Sequence, residues 1–421
     1  MKSKRIGSLG QPIAITGIGL VTPLGNDPDT LMGNLMSGKC AIGRIDYFDP
    51  SPYSCQLAAQ VRDFDAREVM GRDYRRTDQF VHFAVGAARS AIADSGLELD
   101  GNDELRESTG VFVGSGIGGI ATLFAQTKVH EDRGTRRVTP FLVPMMIANM
   151  AAGQIAIDLG LKGPNMAHVT ACATSANSIG EAVRALAAGS CDVILAGGSE
   201  AAITPIGLSG FTQGRAMSTH FNDCPHRSSR PFDGLRDGFV AAEGAGVLVL
   251  ETMEHAQARG ARIYATVDGY GASADAFHIT APPEDGEGAA LSMKRALKDA
   301  RLNPEDIGYI NAHGTSTPIG DLAETRAIHQ VFGEHARSLV VNSTKSMIGH
   351  MIGAAGVVEA AVGVLSMRAG AVHATINQEE PDPDCDLDYV PNEPRDLEFS
   401  HFISNSFGFG GHNVSLVISR A

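Results

Sequence analysis

Tryptophan is absent from this chain of 421 residues, and aromatic residues make up only 6% of it. Large rings are therefore few. The 49 glycines point instead to tight turns and closely packed small-residue helices. Cysteine is scarce: six residues, at 40, 55, 172, 191, 224 and 385, contain no Cys-x-x-Cys pair. That pattern excludes a disulfide framework and a zinc ribbon, and it suits a reducing, cytoplasmic setting. Cations are outnumbered, 34 Lys and Arg against 48 Asp and Glu, for a net charge of −14. Such a balance argues against a general nucleic-acid binder, and no nucleic-acid partner is expected. The longest apolar stretch, 351–367, contains Glu359 and is rich in Gly and Ala, so no membrane insertion is expected. Residues 1–10 are basic but lead into no apolar core, and no signal peptide is expected from them.

With 43% hydrophobic residues the chain can bury a large core. Strand-like and helix-like stretches alternate. Residues 13–16, 110–113, 192–196 and 246–250 read as buried strands, and 78–95, 145–159 and 178–188 as helices. After about residue 260 the pattern restarts, with strands at 263–267, 307–311 and 339–341 and helices at 291–300, 321–331 and 353–367. This alternation predicts an α/β chain whose sheets are covered by helices. A weak echo relates the two parts. The small-residue turn 170–175 leads into an Ala-rich helix and a strand, and Ser343-Thr344-Lys345 leads into a Gly/Ala-rich helix and a strand-like stretch at 371–376. The expected organisation is an extension at 1–10, expected to be disordered, a first half at 11–260 and a second at 261–421, packed as one body.

The most informative residue is Cys172, set in Val169-Thr170-Ala171-Cys172-Ala173-Thr174-Ser175. It follows an apolar segment and precedes a helix, which places the thiol at a strand-to-helix turn. The helix dipole and free N–H groups there favour the thiolate, and small neighbours leave room for a substrate. By itself such a cysteine reads better as a small buried hydrophobe, and the segments further along the chain reverse that reading. Two further segments have the same character, each with a histidine among small residues: Asn311-Ala312-His313-Gly314-Thr315-Ser316-Thr317-Pro318 and Asn342-Ser343-Thr344-Lys345-Ser346-Met347-Ile348-Gly349-His350. A fourth, Asn405-Ser406-Phe407-Gly408-Phe409-Gly410-Gly411-His412-Asn413, is a glycine-rich loop able to present N–H groups to an oxyanion. One motif misleads. Gly114-Ser115-Gly116-Ile117-Gly118-Gly119 contains the dinucleotide fingerprint, yet no second strand ending in an acidic residue follows, and 126–137 reads as a charged loop. A glycine-rich wall against a substrate is the better reading.

Jointly, the four segments resemble those of the β-ketoacyl-acyl carrier protein synthases, the condensing enzymes of fatty acid synthesis with a thiolase-like fold. Ser229-Arg230-Pro231-Phe232-Asp233 and Arg236-Asp237-Gly238-Phe239 support the match, which runs from about residue 11 to the end. His278-Ile279-Thr280-Ala281-Pro282-Pro283 favours the synthase II branch over synthase I. The resemblance implies a thiolase-like, duplicated α-β-α-β-α layering in two similar halves. It implies an acyltransferase that carries an acyl chain on Cys172, decarboxylates malonyl-acyl carrier protein and joins the two. Neutral His313 and His350 would stabilise the enolate, Lys345 would orient them while pairing with Glu359, and the N–H groups of Cys172 and Phe409 would hold the oxyanion. Phe409 matches a gate residue, and Thr315 and Thr317 match contacts to the malonyl arm. Ile117 and Phe211 match the acyl tunnel lining, and Thr280 and Phe407 complete the expected substrate contacts. Arg72, Arg75, Arg76, Arg136, Arg137 and Arg215 fall where the family docks its acidic carrier protein. A homodimer is expected, with no cofactor and no catalytic metal, although some relatives hold a structural monovalent cation near Asn311, Glu359 and Asn405. His412 stands where many relatives have Thr; it is expected to face the structure and not to act in catalysis.

A thiolase would need a second reactive cysteine in the last glycine-rich loop, where this chain has Phe409 and His412. The chain-initiating synthase pairs one histidine with an asparagine, and non-catalytic chain-length partners usually lack the cysteine. A ketosynthase subunit of a type II polyketide or specialised lipid pathway uses the same residues and stands as the alternative.

Overall fold

Strand β1 (Ile13–Val21) is buried along its whole length, and two of its glycines show what covers it. A Cβ added at Gly17 or Gly19 would come within 2.4 Å of the Ala91 carbonyl or 1.9 Å of the Ala87 carbonyl. Helix α1 (Gln79–Ser95) therefore lies directly on the strand. In this computed structural model, which describes residues 12–421, the same device recurs at the start of the second half. There, Gly269 and Gly271 would bring a Cβ within 2.3 Å of the Ala296 carbonyl and 2.0 Å of the Ser292 carbonyl of another helix. The extension assigned to residues 1–10 lies outside the described residues.

In the main sheet the other strands of the first half are β2 (Thr109–Gly114), β3 (Asn165–Met166), β4 (Val193–Glu200) and β5 (Gly244–Thr252). Those of the second are β6 (Ala265–Ala274), β7 (Tyr309–Asn311), β8 (Val340–Asn342), β9 (His401–Gly408) and β10 (His412–Ser419). They form a ten-stranded sheet in the order β8-β7-β9-β10-β6-β1-β5-β4-β2-β3. Read outward from the centre, the halves run β1-β5-β4-β2-β3 and β6-β10-β9-β7-β8, the same path twice. In each, the inner two pairings are antiparallel and the outer two parallel. A short antiparallel pairing of Ile13–Ile15 with Ala265–Val267 joins them.

The helices repeat too: α2 (Met150–Leu159) and α3 (Thr174–Ala187) in the first half, then α4 (Glu287–Ala300), α5 (Pro318–Phe332) and α6 (Ala355–Ala369). Helices α1 and α2 pack against one half of the sheet and α4 against the other, while α5 packs on α4 and sends Ala327, Ile328 and Phe332 into the same core as Ile310 and Val341. Between the two halves of the sheet α3 meets α6 so closely that a Cβ at Gly356 would lie 3.0 Å from that of Ala176. This is the predicted α-β-α-β-α layering in two similar halves. Helix 352–369 is apolar and long enough to cross a membrane by composition, but 83% of it is buried inside the fold. Its apolar surface is already covered on every side by protein.

Four local expectations need correction. Residues 126–137 are not a loop: helix Ile120–Arg133 and a 3-10 turn, Thr135–Arg137, occupy them. Charge reports solvation, and Gln, Lys, Glu and Arg are good helix formers. The helix expected over 145–159 is broken into Leu142–Met146 and α2. The Met146 carbonyl is taken by the N–H of Gly119 at 3.0 Å, so the chain leaves the helix at Ile147. The strand expected over 371–376 pairs only at Ala371–Val372; beyond it a single bridge runs from Thr375 to Pro391, which has no N–H to continue a ladder. The apolar segment before Cys172 pairs only as the two residues of β3, and Cys172 itself sits in a 3-10 turn, Ala171–Ala173, leading into α3.

Candidate active site

Five segments from both halves meet at the C-terminal ends of the parallel strands, the usual position for chemistry in α/β sheets. The turn before α3 carries Cys172, and the matching turn before α6 carries Lys345 and His350. The two turns share an unusual backbone: Ala171 at φ 49° and Ile352 at φ 46° occupy the left-handed region that non-glycine residues avoid. The Cys172 turn is braced from its own helix. Thr174 Oγ1 accepts from the Thr170 N–H at 2.9 Å, and Asn177 Nδ2 donates to Thr170 Oγ1 at 2.7 Å. From the second half, the hairpin between β9 and β10 closes over it. A Cβ at Gly408 would lie 2.7 Å from the Thr170 carbonyl and 3.0 Å from the Cys172 nitrogen. Glycine there lets the Phe409 N–H reach the Cys172 sulfur as a donor.

His313, on the loop after β7, and His350 approach edge to face, ring centroids 5.4 Å apart at 85°. One ligand-type atom each from Cys172, His313 and His350 lies within 4.8 Å of the other two. Lys345 is 1% exposed and forms a close ion pair with Glu359, and its Nζ sits 3.5 Å from His313 Nδ1. An ammonium can only donate, so His313 Nδ1 is the acceptor and its proton is held on Nε2. Neither ring nitrogen of His350 has a protein partner among the described residues, which leaves both free for a substrate. Burial first, and the Lys345 charge second, hold both histidines well below the usual value of 6.5. They are neutral N–H donors at neutral pH.

Cys172 departs from expectation. Desolvation by the apolar walls pushes its thiol up to about 12, against the pull of Lys345 and the Phe409 N–H. The helix N-terminus does not outweigh that loss of solvent, so the resting group is the thiol and not the expected thiolate.

A cavity of about 500 Å³ opens onto this trio. Ile117, Phe211, Thr280, Thr315, Thr317, Phe407, Phe409 and Arg215 all line it, alongside Cys172 and both histidines. Thr315 and Thr317 face one another, Oγ1 to Oγ1, at 3.0 Å. Phe407 packs on His313 with centroids 5.7 Å apart. Phe409 is 37% exposed at the hairpin tip. Lys345 and Glu359 lie behind the wall rather than in it. Arg72, Arg75, Arg76, Arg136 and Arg137 lie away from the cavity wall on the exposed surface. The Arg76 guanidinium stands 5.4 Å from the Phe141 ring, which brings the two clusters side by side. His412, expected to face the structure, is exposed at the start of β10 and lies outside the cavity wall. The loop with the dinucleotide-like glycines contributes Gly116 and Ile117 to the cavity, as a wall.

Two buried carboxylates were not singled out from the sequence. Glu324 accepts from the N–H groups of His313 at 2.9 Å and Gly314 at 2.8 Å, and from Asn405 Nδ2 at 3.1 Å. Glu200 does the same for the loop after β2. Their one signal is position: a lone acid at a strand end after Gly197-Gly198, and one on a buried helix face that also carries Asp321 and Thr325. Near Lys345, the buried oxygens Asn311 Oδ1 and Glu359 Oε2 have no partner among the described residues, a donor set that fits a monovalent cation. Asn405, the third residue expected near such a site, accepts from Ser415 through its Oδ1 at 2.7 Å.

Residues 10–256 match the family described as Beta-ketoacyl synthase, N-terminal domain, and residues 264–379 match Beta-ketoacyl synthase, C-terminal domain. A Staphylococcus aureus protein named 3-oxoacyl-[acyl-carrier-protein] synthase 2 is 49% identical over 414 residues, 98% of this chain and 99% of its own. A Synechocystis protein of the same name is 49% identical over 409 residues, 97% and 98% of the two chains. A solved Beta-ketoacyl synthase from Burkholderia phymatum superposes with a TM-score of 0.91 at 36% identity, covering 98% of this chain and 100% of that one. A ketosynthase solved in complex with its type II PKS acyl-carrier protein gives 0.90 at 31%, covering 98% and 99%.

Proposed function

The chain belongs to the β-ketoacyl synthase family, and from that membership we propose that it elongates fatty acids as a 3-oxoacyl-acyl carrier protein synthase of the synthase II type. The observation that carries this reading is the convergence of Cys172, His313 and His350 within 4.8 Å at the end of one cavity. In the first step the Cys172 sulfur attacks the carbonyl of an acyl thioester. The N–H groups of Cys172 and Phe409 hold the oxyanion, the carrier thiolate departs, and it takes the proton the cysteine gives up. In the second, malonyl-carrier protein enters past Thr315 and Thr317, and its carboxyl C–C bond breaks to release CO2. The negative charge that develops on the thioester oxygen is met by N–H donors of His313 and His350. The resulting carbanion attacks the acyl carbonyl, the C–S bond to Cys172 breaks, and the sulfur is reprotonated. Neutral histidines suit this role because each must offer a proton without losing it.

Intact-mass measurement after incubation with acyl-carrier proteins of graded length tests the reading. One acyl adduct on Cys172, discharged by malonyl-carrier protein to a 3-oxoacyl product, is the expected result; an adduct elsewhere, or none, overturns it. A type II polyketide ketosynthase is the second reading. It is supported at 31% identity, against 49% for the fatty acid enzymes.

The carrier protein docks on the arginine surface in this reading, where a local basic patch on an acidic body steers an acidic partner. Reversing Arg75 and Arg76 to glutamate is expected to raise KM for the carrier protein about tenfold while kcat stays within about twofold. Steady-state kinetics at low salt measure this, and an unchanged KM removes the patch from the docking surface. A homodimer is part of the same reading. Strand β3 ends the sheet, and beside it Met166 and Val169 are 51% and 55% exposed, an apolar edge that a second copy would cover. Six free cysteines support a cytoplasmic setting. A monovalent cation would be held by Asn311 and Glu359, where it would balance buried negative charge.

A further inference from the structure

Glu200 ends β4 and is fully buried, yet the catalytic scheme gives it no part. Its two oxygens are shared between the halves of the molecule. Oε1 accepts from Ser115 Oγ at 2.9 Å and the Ile117 N–H at 3.2 Å. Oε2 accepts from the Gly116 N–H at 2.9 Å and the Gly353 N–H at 3.1 Å. The first three donors belong to the loop that forms the Ile117 wall of the cavity. The fourth belongs to the turn that carries His350 three residues earlier. The fit is close: a Cβ at Gly116 would lie 2.7 Å from Oε2 and 3.1 Å from Ile352 Cγ2, and one at Gly353 would lie 2.9 Å from Oε2. In the second half the loop at the matching place, after β7, is held in the same way by Glu324, and that loop carries His313. Both loops at the reacting centre are thus set by a carboxylate that collects backbone N–H groups.

We propose that Glu200 is a positioning residue that fixes the acyl-cavity wall at Ile117 to the His350 turn, and so sets which acyl chains reach Cys172. The inference rests on the reading of the cavity as the acyl site. A carboxylate is the group required because four donors need an acceptor-only partner. Glutamine would turn an N–H₂ toward one of the oxygens' donor pairs, leaving buried N–H groups unmatched and releasing either the wall or the turn. Burial pushes the Glu200 carboxyl up, and these four donors pull it back toward the ionised form they need.

The test compares Glu200→Gln with the parent protein by intact mass, using acyl-carrier proteins from two carbons to the longest chain the parent accepts. The expected result is a selective loss. Loading of the longest chains slows by about tenfold or more, while the two-carbon group, which does not pass Ile117, loads within about twofold of the parent. Ser115→Ala, which removes one donor without touching the carboxylate, is expected to shift the profile in the same direction by less. An unchanged profile, or a uniform loss across all chain lengths, overturns the proposal, the second because it marks a merely structural role. If Glu200→Gln does not fold, Ser115→Ala decides alone, and an unchanged profile there overturns it equally. Failure of the parent to load Cys172 at all is a different outcome: it overturns the reading of the site and not the role of Glu200.

Discussion

Cys172→Ala loses condensation activity by about 10⁴-fold or more, since no other group at the site can hold the acyl chain. The fold should survive, because Cys172 sits at the cavity wall among small residues and alanine leaves its neighbours in place. Decarboxylation of malonyl-carrier protein, which needs the histidines and not the sulfur, persists at a measurable rate. The variant therefore separates the two halves of the reaction, and a product assay beside a CO2 assay reads both. Retention of full condensation would remove Cys172 as nucleophile. The protonated resting state makes a companion prediction. With the thiol pushed up to about 12, alkylation of Cys172 by iodoacetamide is expected to accelerate about tenfold per pH unit from 7 to 10. A plateau above pH 8 would mean a thiolate already formed. In the reaction, attack and proton loss are then coupled: the cysteine gives up its proton as the carrier thiol leaves, with the Lys345 charge stabilising the sulfur while the Phe409 N–H turns to the oxyanion.

His350→Ala is the second large effect. Two N–H donors in a desolvated cavity meet the enolate oxygen, and loss of one such donor costs about 10²–10³ in rate, about 2.7–4 kcal/mol. The expected result is a fall of that size in malonyl decarboxylation, with acyl loading onto Cys172 reduced far less. His313→Ala falls at least as far, because it also removes the partner of Lys345. The pH dependence follows from the direction of the shifts. Both imidazoles are held well below 6.5, so the neutral donors persist through pH 6 and decarboxylation shows no histidine inflection between pH 8 and 6. The sign is the same for stability. An unfolded histidine protonates below about 6.5 while the buried one does not, so these residues leave stability unchanged above that pH and oppose folding as the pH falls below it. Equal loss of loading and decarboxylation in His350→Ala would move the residue from enolate stabilisation to a general structural role.

Much of this site was legible in the linear chain. A thiol, two histidines, a lysine and a glycine-rich loop, each among small residues at an element end, are rare together, and small neighbours are what a reacting centre requires. The repeat was only half legible. Its sharpest mark, Gly17-Ile18-Gly19 on β1 and Gly269-Tyr270-Gly271 on β6, has meaning only once a helix is seen lying on each pair. The break at Ile147 escaped because a carbonyl was claimed by Gly119, outside its own helix.

Residue chemistry and local periodicity determined which groups are present, the alternation of strands and helices, and the family to which they belong. Tertiary structure alone decided three things: that Cys172 meets two imidazoles carried by the other half, that its thiol is protonated at rest, and that Glu200 and Glu324 hold the loops around them. The reason is common to all three. Each depends on desolvation or on contacts between segments far apart in the chain, and local sequence carries no record of either until the two halves close on one another.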